Sequence, residues 1–132
     1  MGSDLVRILI LDDEQVRHDH LEEFYSGHEV VHSVTYSHFV HELENGSPWD
    51  LIHLDHDLGL GDSYVDGWGD MQFFTGQHAA IRVCELHDDR LPAEVIVHSV
   101  NPLGANYIVA DLKSRKVNVT WQPYKQIAQK KA

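Results

Sequence analysis

Three short stretches, VRILILDD (6–13), WDLIHLDHD (49–57) and AEVIVHSV (93–100), each carry a dense apolar run that stops abruptly on polar residues. A strand with one face in water alternates apolar and polar positions, whereas a strand covered on both faces does not. The runs are too short for buried helices, so they read as strands of a sheet covered on both sides.

The intervening segments have a different period. Residues 14–25 set Val16, Leu21, Phe24 and Tyr25 at helical spacing before Ser26-Gly27 supplies a stop. Residues 28–36 are rich in β-branched side chains and predict a second strand. Ser37 is the expected cap of a helix that ends at Asn45-Gly46. Residues 77–89 predict a helix with Ala80, Ile81, Cys84 and Leu86 facing inward. Asn101-Pro102-Leu103-Gly104 turns into a helix over 105–116, residues 117–123 form a fifth strand, and the tail from Tyr124 is at most a short helix. Segment 58–76, with five glycines and no sustained period, reads as a long loop of the kind that carries function.

Parallel neighbours need crossover connections, so alternating strands and helices imply a five-stranded parallel sheet with helices on both faces, a flavodoxin-like α/β fold. At 132 residues the chain is expected to be a single domain, with Met1 to Ser3 set aside as a cloning remnant. Acids outnumber Lys and Arg by 21 to 10, giving a net charge of −11. That balance disfavours capture of an extended nucleic-acid duplex or an anionic membrane. No window reaches the roughly 18 to 20 apolar residues that span a bilayer. The start shows no export signal and Cys84 is the sole cysteine, so a cytoplasmic protein is expected.

In open α/β sheets, ligands sit beyond the carboxyl ends of the central strands. There this sequence places Asp12 and Asp13 on the first strand, Asp55, His56 and Asp57 on the third, and His98, Ser99 and Asn101 at the end of the fourth. If those three strands are neighbours, the acids converge, and clustered carboxylates require a cation or a proton. Carboxylates favour Mg²⁺, Mn²⁺ or Ca²⁺, and imidazole tilts the choice toward Mn²⁺ or another transition metal. Plainer readings stand beside each piece. Asp12 or Asp13 can cap the following helix, DHD can be a solvated turn, His98 a satisfied core histidine, and Ser99 and Asn101 the organisers of a turn. Trp68, Phe73 and Phe74 read either as an aromatic wall or as anchors of the long loop.

These residues carry a resemblance. ILILDDE, DLIHLDHDLG, VIVHSVN and the terminal QP resemble the motifs of response-regulator receiver domains across nearly the whole chain. The resemblance implies Mg²⁺ at Asp12 and Asp13, phosphate on Asp55, and a switch hydroxyl at Ser99. It also calls for a lysine before Pro123, where this chain has Gln122. His56, Asp57, His98, LDHDLG and HSVNPLGA more closely resemble the divergent cyclic-phosphate processing receiver-like domains.

That branch implies a metal-dependent phosphoesterase acting on a cyclic phosphate or related phosphodiester of a nucleotide or RNA end. Asp12, Asp13, Asp55, Asp57 and His98 are then the expected metal ligands, with Mg²⁺ or Mn²⁺ as cofactor. Asp55, His56, His98, Ser99 and Asn101 are the expected catalytic and phosphate-binding residues. Two alternatives stand: a receiver that signals through a phosphoaspartate, and a catalytically silent binding protein.

Overall fold

A computed structural model describes residues 5–59, 61–125 and 127. Strands β1 (Arg7–Leu11), β2 (Glu29–Ser33) and β3 (Leu51–Leu54) are followed by a short pair, β4 (Ser63–Val65) and β5 (Met71–Phe73), then by β6 (Glu94–Val97) and β7 (Val119–Trp121). The helices are α1 (Gln15–Phe24), α2 (Tyr36–Gly46), α3 (Gly76–Cys84) and α4 (Pro102–Ser114). The main sheet has the order β2-β1-β3-β6-β7 with all pairs parallel. The expected doubly covered five-stranded sheet is therefore the observed one. Residues 1–4, which include the presumed remnant, and most of the tail after Lys125 lie outside the described residues.

Strand period 2 divides the core in two. Leu9, Leu11, Ile52, Leu54, Val95 and Val97 meet Phe39, Leu43, Ala80, Val83, Ile108 and Leu112 from α2, α3 and α4. The opposite face holds Ile8, Ile10 and Leu51 against Leu21 of α1 and Ile127, with Tyr25 and Ile96 packed alongside.

Four local expectations need correction. On α1, Val16 is 73% exposed, while His18 is buried together with Leu21 because its Nε2 reaches the Asp12 carbonyl at 2.7 Å. Helix α2 is capped by Thr35, not Ser37: the Thr35 hydroxyl accepts from His38 N at 3.1 Å. On α3, Ile81 faces outward, and Ala79, Ala80 and Val83 do the packing. Segment 58–76 contains an antiparallel hairpin, with Tyr64 opposite Gln72. Asp66 organises its turn by accepting from the backbone of Trp68 (2.8 Å) and Asp70 (3.0 Å).

The hairpin is tied down at its base. Phe74 stacks on Tyr36 with ring centroids 4.1 Å apart, and Asp62 accepts from Ser37 N at 2.7 Å. Trp68, at the tip, is 90% exposed. Phe74 is thus an anchor, and Trp68 stands free of the core.

Candidate metal centre

The site follows from strand register. Ile10, His53 and Ile96 are aligned across β1, β3 and β6 on the face covered by α1. Two residues further on, the same face carries Asp12, Asp55 and His98. The ladder continues past the strands to fix them, through Asp55 N to Leu11 O and His98 N to Leu54 O, each 3.0 Å. One ligand atom from each of Asp12, Asp55 and His98 lies within 4.8 Å of the others, and all three residues are buried.

Asp12 is the hub. Its Oδ1 accepts from Glu14 N (2.8 Å) and Arg17 Nη2 (3.1 Å). Its Oδ2 accepts from Arg17 Nε (2.7 Å) and pairs with His98 Nε2 at 2.7 Å. Burial opposes ionisation here, yet the hydrogen bonds from His98 and Arg17 outweigh it and hold the carboxyl at a pKa of about 2. Asp55 has weaker support, from His56 N at 3.0 Å and Arg17 Nη2 at 3.4 Å. Burial, reinforced by repulsion from Asp12, pushes its pKa up to about 6. Two neighbouring carboxylates are thereby split, one ionised down to a pH of about 2 and the other only as pH rises through about 6.

The remaining expected residues lie around this centre. Asp13 and Asp57 line the same open cavity of about 270 Å³, with Arg17, His98 and Tyr124. The Asp57 side chain is 67% exposed and accepts from Asn101 Nδ2 at 3.4 Å, while its Oδ1 lies 2.8 Å from His56 Nδ1. The His56 ring packs on α4 so closely that a Cβ at Gly104 would lie 2.4 Å from it. Asn101 caps α4 by accepting from Gly104 N at 3.1 Å, and Ser99 Oγ accepts from Asn101 N at 3.0 Å. Asp12, Asp55 and His98 thus form the centre, Asp13 and Asp57 its rim, and His56, Ser99 and Asn101 the adjoining turn.

Three participants were not singled out from the sequence. Arg17 is the only Lys or Arg lining the cavity among the described residues, and it touches Asp12, Asp55 and, at 3.8 Å, Asp13. Its spacing of four residues from Asp13 on α1 is the local signal for it. His53 and Tyr25 continue the network inward, with His53 Nδ1 3.4 Å from His98 Nδ1 and His53 Nε2 2.5 Å from Tyr25 Oη. Burial, with His98 beside it, lowers the His53 pKa well below the usual imidazole range, so His53 is neutral.

The donor set of two buried carboxylate oxygens and an imidazole nitrogen fits a small divalent cation such as Mn²⁺ or Mg²⁺. The charge pattern fits as well: one guanidinium now serves two buried acids, and Asp55 lacks a full counter-charge.

Comparison with known proteins agrees with this architecture. The family described as "Cyclic-phosphate processing Receiver domain" matches residues 7–114. No curated protein sequence matches the chain. Solved structures do match. A response regulator receiver domain (CheY-like) from Methylobacillus flagellatus aligns with a TM-score of 0.65 at 12% identity, over 91% of this chain and 86% of that one. The signal receiver domain of a putative Luxo repressor protein from Vibrio parahaemolyticus gives 0.63 at 15% identity, over 96% and 85%. A response regulator protein from Burkholderia pseudomallei, solved with a phosphorylated aspartic acid, calcium ion and citrate, gives 0.58 at 18% identity, over 88% and 59%. At these identities the likeness establishes the fold, and the family match identifies the branch. The chain belongs to the cyclic-phosphate processing receiver domain family.

Proposed function

We propose that this protein is a metal-dependent phosphoesterase that opens a cyclic phosphate, or a related phosphodiester, at a nucleotide or RNA end. The observation that carries the reading is the convergence of Asp12, Asp55 and His98 on one buried point, within a chain of the cyclic-phosphate processing branch. Those three residues would hold a Mn²⁺ or Mg²⁺ ion, with Asp13 and Asp57 at the rim to hold its waters or a second ion. Such an ion neutralises phosphate charge and lowers the pKa of a bound water.

The protein's own groups supply the rest. With a cation taking over the charge of Asp12 and Asp55, the Arg17 guanidinium at the cavity wall is available to phosphate oxygens. Ser99 Oγ already accepts from Asn101 N, which leaves its proton to donate. Hydrolysis forms a bond from water oxygen to phosphorus and breaks one ester P–O bond, so a proton leaves the water and a proton reaches the departing alkoxide. His56 and Asp57, hydrogen-bonded at 2.8 Å on the exposed side, are positioned for that proton work. The charge of −11 suits a small or single-stranded end, because few basic residues are present to follow a longer backbone.

The test is incubation with Mn²⁺ or Mg²⁺ and a panel of cyclic nucleotides and cyclic-phosphate-ended oligonucleotides. Turnover that disappears in Asp55→Asn is expected. No turnover with either metal, or the same turnover after Asp55→Asn, rejects the proposal.

A second reading is phosphotransfer to Asp55. It is favoured by the phosphorylated aspartic acid in the Burkholderia response regulator of the same fold. Gln122, where the receiver pattern has lysine, weighs against it, although Arg17 brings a cation to Asp55 from α1 instead. Stable, Asp55-dependent labelling by acetyl phosphate without cyclic-phosphate turnover would select this reading.

A further inference from the structure

From the aligned nitrogens of His53 and His98, we propose that Tyr25 and His53 are positioning residues that decide which ring nitrogen of His98 is bare, and so whether His98 can take a cation. This inference rests on the cation site proposed above.

The number of protons along the line limits its states. Four groups form one unbranched line: Tyr25 Oη, His53 with Nε2 2.5 Å from it, His98 with Nδ1 3.4 Å from His53 Nδ1, and Asp12 Oδ2 2.7 Å from His98 Nε2. An ionised carboxylate only accepts, so His98 carries its proton on Nε2. With a single proton on its ring, His98 leaves Nδ1 bare to accept from His53 Nδ1. His53 Nε2 is bare in turn and accepts from the Tyr25 hydroxyl. Every buried nitrogen has one partner and every contact has one proton.

The line has a second self-consistent arrangement with the opposite polarity. If His98 is protonated on Nδ1, it donates to a bare His53 Nδ1, and His53 donates from Nε2 to Tyr25 Oη. Each ring again carries one proton, but His98 Nε2 now offers a lone pair toward Asp12 and Asp55, which is what a cation requires. Passing from the first state to the second releases the Nε2 proton of His98 at the cavity and takes one proton up at the half-buried Tyr25 end. Each intermediate hydrogen bond shifts its proton by one contact. The net change is zero protons and zero charge in the core.

Sequence and register explain the placement. His53 sits between Ile10 and Ile96 on an otherwise apolar sheet face, where an isolated polar ring is unfavourable. Its two nitrogens find partners only because Tyr25 ends α1 beneath it and His98 follows β6 above it. Outer partners that orient a metal-binding histidine typically change metal affinity 10- to 100-fold when removed.

Two variants test this. His53→Phe keeps a ring and removes both bonds. Tyr25→Phe removes only a hydroxyl at the half-buried end, so it preserves the fold if the larger change does not. Each leaves the cation-ready polarity with an unsatisfied buried donor, so each should lock His98 in the Nε2-protonated form. Imidazole ¹⁵N NMR of the metal-free wild type should show His98 Nδ1 bare and His53 protonated on Nδ1. Calorimetric titration with Mn²⁺ should show affinity falling about 10- to 100-fold in His53→Phe, with a smaller loss in Tyr25→Phe. A metal-free His53 that carries its proton on Nε2, or variants that bind Mn²⁺ as tightly as the wild type, overturn the proposal and leave the cation site intact. A wild type that binds no Mn²⁺ removes the cation site itself and this role with it.

Discussion

Arg17 Nη2 lies 3.4 Å from Asp55 Oδ2 while the same guanidinium grips Asp12. A side chain of α1 therefore spans two strand ends and offsets the charge of acids that would otherwise repel one another in a buried setting.

Removing Arg17 should expose that repulsion. Arg17→Met is expected to destabilise the protein by about 2 to 4 kcal/mol in the presence of a chelator, since it takes the guanidinium from the fully buried Asp12 carboxylate and leaves it only His98 and the Glu14 amide. Mn²⁺ should recover much of the loss by supplying the missing charge. Urea unfolding of wild type and variant, with EDTA and with Mn²⁺, makes the comparison. An Arg17→Met stability insensitive to the ion would separate the guanidinium from the cation site.

The Asp55 carboxyl gives a pH-dependent prediction with a definite sign. Its pKa in the folded state is about 6 against an ordinary 3.8, so the folded state binds the proton more tightly than the unfolded chain does. The associated stability is fully present below pH 3.8 and is lost as pH rises through about 6. Asp55→Asn removes this penalty, and in chelator it should be more stable than wild type by roughly 3 kcal/mol at pH 7.5 and by under about 1 kcal/mol at pH 4. Asp12 has the opposite sign: its contribution is present above pH 3.8 and lost as pH falls through about 2. Equal stability of wild type and Asp55→Asn at pH 7.5 would mean that Asp55 ionises as freely as a surface acid.

Gly76 allows a steric test. A Cβ there would lie 1.8 Å from the Asp55 carbonyl, and Gly76 N donates to His56 O at 2.8 Å. Gly76→Ala should therefore cost about 3 kcal/mol or more and displace Asp55. Gly67→Ala, in the hairpin turn with open space around it, should stay within about 0.5 kcal/mol of wild type. Thermal unfolding of the two variants distinguishes them.

The hairpin separates anchoring from surface roles. Phe74 packs against Tyr36, Tyr64 and His78, so Phe74→Ala should cost about 2 kcal/mol. Trp68→Ala should leave stability within about 0.5 kcal/mol, because the ring touches little of the fold. Chemical denaturation measures both, and a large loss in Trp68→Ala would contradict the described exposure.

The pattern of what was legible has physical causes. The central strands could be read because a doubly buried strand must be apolar at nearly every position, and His98 and the acids mark where that burial ends; that β1, β3 and β6 are neighbours, only a condition at the level of sequence, is supplied by the sheet itself. The hairpin could not be read, since three-residue strands such as SYV and MQF expose most of their positions and leave no period. Val16 departs from its expected face for a related reason: an apolar residue fits a helix face by spacing, but His18 takes the buried position through its bond to the Asp12 carbonyl, a tertiary contact. Arg17 has a local signal only toward Asp12 and Asp13, while its other acid, Asp55, lies 38 positions away, and His53 and His98 are 45 positions apart. Only the sheet register brings them together.

The most direct measurement is a calorimetric titration of Mn²⁺ into the wild type, Asp12→Asn, Asp55→Asn and a rim-distant control, Asp70→Asn. A site built on Asp12, Asp55 and His98 should bind in the wild type and in the control, and that binding should be lost in both Asp12→Asn and Asp55→Asn. Absence of binding in the wild type, or binding that survives both substitutions, would contradict the claim that Asp12, Asp55 and His98 share one ion.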